Sequence, residues 1–179
     1  MQRSIALLLL LCVVNPISLA QGNVFKRLRY QGGTVQTQTK PDEWGNTLTV
    51  TSDEIILKLK DGQSFTLKPQ QVTGLSYGQE AHRRVGTMVA LSALMLNPIP
   101  LFGLMHKKRD HFIGVEFTTE GGKKGSWLLQ ADKDNYRAVI VTLRGVMGAD
   151  VAVAPEDRKY IPVRVEDVDP KKIEEKKKH

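Results

Sequence analysis

The sequence predicts a mainly β fold (β+α): an antiparallel sandwich or barrel closed by one C-terminal amphipathic helix, with an apolar helical insert. Three observations predict it. Short alternating runs separated by Gly and Asp turns fill most of residues 33–132. An apolar period of three and four residues follows once, after Asp134. A stretch without a single charge, residues 85–105, interrupts the β pattern.

The elements follow in chain order. Residues 34–39 alternate and are rich in Thr, Val and Gln, which reads as a first strand. In residues 47–51, Leu48 and Val50 share one face. Ile55, Leu57 and Leu59 form the apolar side of the next run, opposite Lys58 and Lys60, and Phe65 and Leu67 alternate beyond Asp61-Gly62. Asp-Gly between two such runs predicts a hairpin whose two turn residues both take positive φ. Residues 72–77 give a further strand. Residues 111–119 place Ile113, Val115 and Phe117 on one side, Glu120-Gly121-Gly122-Lys123 turns the chain, and residues 126–130 return around Trp127 and Leu129. Asp132 or Asp134 then caps a helix on which Tyr136, Val139, Ile140, Leu143, Val146 and Met147 form one stripe, with Gly148 as its stop.

A run of short strands followed by one capping helix resembles the pleckstrin-homology-like fold, with its GRAM relatives, over about residues 33–148. The resemblance implies a bent antiparallel sheet plugged at one end by the helix. It also implies binding of lipid headgroups or protein partners rather than catalysis. Phosphoinositide-binding members carry several basic residues around the first hairpin. Here that loop, Lys40-Pro41-Asp42-Glu43-Trp44-Gly45-Asn46, holds one lysine and two acids.

The N-terminus reads as a secretory signal in residues 1–20. Arg3 supplies the positive start, residues 5–14 the apolar run, Asn15-Pro16 the break, and Ser18-Leu19-Ala20 the small-x-small cleavage pattern. Cys12 lies in this segment and is the only cysteine, so a chain cut after Ala20 has no thiol for a disulfide or a metal. The expected location is the periplasm or cell envelope. One domain, residues 21–154, is expected, with residues 155–179 as a charged tail.

The formal charge is +7, and much of the excess lies in Lys171, Lys172, Lys176, Lys177 and Lys178. In an exported chain this basicity points to anionic membrane lipid or an envelope protein as partner, not to nucleic acid. The plainer reading is that the lysines form a solvated tail.

Residues 85–105 admit three arrangements. A membrane span is barely long enough and is broken by Asn97-Pro98-Ile99-Pro100. An apolar hairpin entering a membrane would keep the β segments before and after it on one side. An internal element, or a homo-oligomer contact, has the same composition. The membrane-contact residues on the second arrangement are Arg83, Arg84, Met88, Leu91, Leu94, Met95, Leu101, Phe102, Lys107, Lys108 and Arg109, with the cations at the headgroups.

Catalytic patterns are not evident. His82, His106, His111 and His179 have no zinc-motif spacing, and the Glu120–Gly125 stretch lacks Walker spacing. Asp42, Glu43, Asp53, Glu54, Asp132 and Asp134 are explained by turn and cap duty. No cofactor and no metal is expected. Trp44, Tyr77 and Trp127 sit in a context where aromatics are core more often than recognition surface. The sequence therefore predicts a non-catalytic, membrane-associated binding module of the envelope, or else a soluble assembly module whose insert is a core or oligomer contact.

Overall fold

The computed structural model describes residues 22–79, 110–148, 150–161 and 165–167. The signal segment, the apolar insert with all eleven of its candidate membrane-contact residues, and the end of the tail lie outside these described residues.

Among the described residues, nine strands form one open, mixed sheet: β1 (Asn23–Gly33), β2 (Asn46–Val50), β3 (Ile55–Lys58), β4 (Ser64–Leu67), β5 (Val72–Gly78), β6 (His111–Thr118), β7 (Lys124–Ala131), β8 (Val151–Val153) and β9 (Val165–Asp167). They pair in the order β4-β3-β2-β1-β7-β6-β5-β8-β9. The helix α1 (Tyr136–Met147) packs against β2, β5, β6 and the 3-10 turn Pro69–Gln71 that leads from β4 into β5. The helix thus lies across the two halves of the bent sheet.

Alternation makes the core. Leu48, Val50, Ile55 and Leu57 point inward from β2 and β3; Ile113, Val115 and Phe117 do so from β6; Trp127 and Leu129 do so from β7. Tyr136, Val139, Ile140 and Leu143 bury the helix stripe against them, and Gly148 ends the helix at φ +64, as its position after the stripe predicts.

Several expectations need correction. The sheet is not wholly antiparallel, because β8 pairs with β5 and β9 with β8 in parallel. Nor is it closed: among the described residues β4 and β9 each have a neighbour on one side only. The first strand is β1, not residues 34–39, which form a loop. In the Asp61-Gly62 turn only Gly62 has positive φ, at +91. Leu59 N–H donates to Gln63 O at 2.8 Å and Gly62 N–H to Leu59 O at 3.1 Å, a three-residue loop with glycine at its left-handed position. The β6–β7 turn repeats this design around Thr119 and Lys123, with Gly122 at φ +75.

Asp132 acts one turn before the helix rather than as its cap. Its Oδ1 accepts the N–H groups of Asp134 and Asn135, both at 3.0 Å. Its Oδ2 lies 3.0 Å from Arg27 Nε, a charge contact without hydrogen-bond geometry. Arg27 itself stands at φ +58 in a bulge of β1. Beyond Ala154 the chain forms a 3-10 turn, Pro155–Tyr160, that buries Asp157 and is followed by the buried Ile161.

Candidate binding cleft

Three segments that turn at one pole of the sheet leave a cleft of about 450 Å³ between them. The start of the β1–β2 loop, strand β4 and the β6–β7 hairpin form its walls. Its floor is apolar, from Val35, Phe65, Leu67, Phe117 and Trp127, and Lys123 and Lys124 stand exposed at its rim. Small polar groups, from Thr34, Ser64, Thr66 and Thr119, complete the lining.

The residues around the cleft are cross-linked. Thr34 N–H donates to Ser126 O at 3.0 Å, and Ser126 N–H donates back to Thr34 Oγ1 at 3.1 Å. The Tyr30 hydroxyl donates to Val35 O at 3.1 Å, and burial pushes the pKa of this phenol far above its ordinary range. Asp61 Oδ2, in the β3–β4 turn, accepts the Thr37 hydroxyl and the Gln38 N–H of the β1–β2 loop. These bonds, the Thr37 hydroxyl first, hold the Asp61 carboxyl below its usual value. Lys68 Nζ, just after β4, meets Glu120 Oε1 of the β6–β7 turn at 2.9 Å, which raises the lysine and lowers the glutamate.

Inner polar side chains fix the loop further. Asn46 is buried; its Nδ2 donates to Leu28 O at 3.0 Å and its Oδ1 accepts Lys60 N–H at 3.0 Å. Gln31 Nε2 donates to Gln130 Oε1 at 2.8 Å and to Pro41 O at 2.9 Å. Gly125 is required by contact: a Cβ there would lie 2.3 Å from Phe117 Cε2, inside the ring that forms the floor.

Two features of the cleft have no partner among the described residues. The buried Trp127 Nε1 makes no hydrogen bond. Strand β4 has a neighbour on one side only.

The opposite pole carries a different cluster. His111 Nδ1 and the Tyr77 hydroxyl share a 2.8 Å hydrogen bond, and the His111 ring stacks on Tyr136. The Tyr136 hydroxyl donates to Tyr160 O at 3.1 Å, and Asp157 Oδ2 accepts Gln79 N–H at 3.1 Å. Burial raises the Tyr77 phenol and lowers the His111 imidazole. This pole is where residues 80–109 leave and return, since Gly78 pairs with Phe112.

Of the three aromatics singled out in the sequence, Tyr77 and Trp127 are core, and Trp44 is exposed in the β1–β2 loop beneath the Arg29 guanidinium, 4.1 Å from its ring centre. They do not form one surface. Lys123 and Lys124 were legible only as part of a turn, and the β4 residues only as an alternating strand. Their convergence depends on pairing that no local pattern encodes.

No protein-family profile matches the chain, and no curated protein matches it. Among solved structures it is similar to a chain in the structure of the Spt16D Pob3N heterodimer, at 8% identity and a TM-score of 0.42. The match covers 84% of this chain and 62% of that one, so this chain spans under two thirds of its neighbour's length.

Proposed function

We propose that this chain is a non-catalytic binding module of the cell envelope, exported, holding its ligand in the cleft and seated on a membrane through residues 85–105. The cleft carries the proposal: an apolar floor under a lysine rim accepts a ligand that is apolar in its body and anionic at its ends. The pleckstrin-homology-like reading is supported by the element order, a four-strand meander, a three-strand meander and a helix. A membrane hairpin, rather than a single span, is favoured by the pairing of β5 with β6, which requires residues 80–109 to start and finish at the same pole.

The soluble assembly module is a second reading, and the free β4 edge favours it. Flotation with anionic liposomes separates the two. The chain from residue 21 is compared with a variant whose residues 86–105 are replaced by a Gly/Ser linker, both shown to be folded by circular dichroism. If the intact chain floats and the variant stays down, the membrane-seated module stands. If the intact chain stays down and needs no detergent, that reading falls and the assembly module replaces it.

A further inference from the structure

The geometry points to a specific occupant: we propose that an extended, acidic segment of a partner polypeptide adds to β4 as a further strand, with its apolar side chains on the cleft floor. The proposal rests on the cleft being a binding site and names the partner for it.

The register of β3 with β4 determines which backbone groups are free. Leu59 and Gln63 are joined by a backbone hydrogen bond, and antiparallel pairs alternate between bonded and non-bonded. Leu57–Phe65 and Ile55–Leu67 are therefore the bonded pairs, and the N–H and C=O groups of Ser64 and Thr66 point away from β3. They are spaced two residues apart, as strand addition requires. The next outward N–H, at Lys68, is already satisfied by Gln71 Oε1 at 2.7 Å, which marks where the edge ends.

Native sheets protect free edges with proline, charge or a bulge. Strand β4 reads Ser-Phe-Thr-Leu, has no register shift against β3, carries no proline or charge, and has no neighbour on its outer side among the described residues. All four of its residues line the cleft, so a strand laid on this edge also meets the floor. Charge selects the partner. Lys68 is matched by Glu120, but neither Lys123 nor Lys124 has an ion-pair partner among the described residues. A peptide alternating acidic and apolar residues satisfies both lysines and the floor, because a strand presents the two kinds of side chain to opposite faces.

The test uses the full chain and two probes: a pool of nine-residue peptides alternating Asp or Glu with Val, Ile, Leu or Phe, and dodecyl phosphate. Amide hydrogen exchange is read at Ser64 and Thr66, and the indole N–H resonance at Trp127. The expected result is that the pool slows exchange at Ser64 and Thr66 by about tenfold or more. Thr66→Pro, which removes one outward donor without touching the β3 ladder, should weaken binding by about tenfold. The double variant Lys123→Glu with Lys124→Glu should weaken it by about fivefold, and stands in if the proline variant does not fold. Binding of the pool with no protection at either amide overturns the proposal. If dodecyl phosphate shifts the Trp127 indole and the pool protects nothing, strand addition falls while the cleft remains a ligand site. If neither probe acts, both fall.

Discussion

The imidazole of His111 lies flat against the phenol of Tyr136, with ring centres 3.6 Å apart and planes within 3°. His111 opens the strand that follows the apolar insert, and Tyr136 opens the only α-helix among the described residues. The stack therefore ties the return point of residues 80–109 to the element that covers the core.

That stack makes stability depend on pH. Burial lowers the His111 pKa below 6.5, and Arg137 lowers it further; Asp110, Asp132 and Asp157 act in the opposite sense. The unfolded chain then binds a proton more readily than the folded one. The His111 contribution is fully present above pH 6.5 and is lost as pH falls through the lowered folded value. Thermal melts from pH 7.5 to pH 5 should show a declining Tm, and His111→Phe, which keeps a ring in the stack, should flatten that decline. An equal slope in both proteins would assign the effect to another group.

Asn46 bridges β1 to the β3–β4 turn through Leu28 O and Lys60 N–H. Asn46→Ala leaves two backbone groups short of a partner and should cost about 2 kcal/mol in chemical denaturation. Because Asn46 Nδ2 also reaches Glu43 O at 3.3 Å, the amides of residues 40–45 should exchange faster in the variant.

Gly125→Ala should destabilise by about 1–3 kcal/mol, since the added methyl meets the Phe117 ring and can be relieved only by moving it. The displaced ring narrows the cleft, so any ligand of the cleft should bind the variant more weakly at a temperature where both remain folded.

The two tryptophans separate optically. Trp127 is 1% exposed and Trp44 is 41% exposed. Trp44→Phe should leave a blue-shifted emission that resists acrylamide, and Trp127→Phe a red-shifted emission that acrylamide quenches. Reversal of that order would place Trp127 outside the core and remove the cleft floor.

Strands β2 to β4, β6, β7 and the helix were legible because each keeps one period along its length. β1 was not, because the bulge at Arg27 shifts the pairing between Phe25 and Leu28 and breaks the alternation. Residues 34–39 read as a strand because Thr and Val favour one. Instead, Thr37 turns its hydroxyl to Asp61 and accepts the Thr39 N–H, local bonds that compete with a ladder. β8 is three residues long and pairs in parallel with a strand far behind it in sequence, which leaves no local signature. The cleft was hidden for the same reason: Val35, Phe65 and Trp127 meet only once the sheet bends.

The β5–β6 ribbon separates the two poles. From His111 to Thr118 a strand covers about 24 Å, while charges in physiological salt are screened over about 8 Å. Lys123 and Lys124 at the cleft rim and Asp110 and Asp157 at the other pole therefore act as electrically separate regions. A ligand bound in the cleft, as proposed, would leave the field at the other pole unchanged.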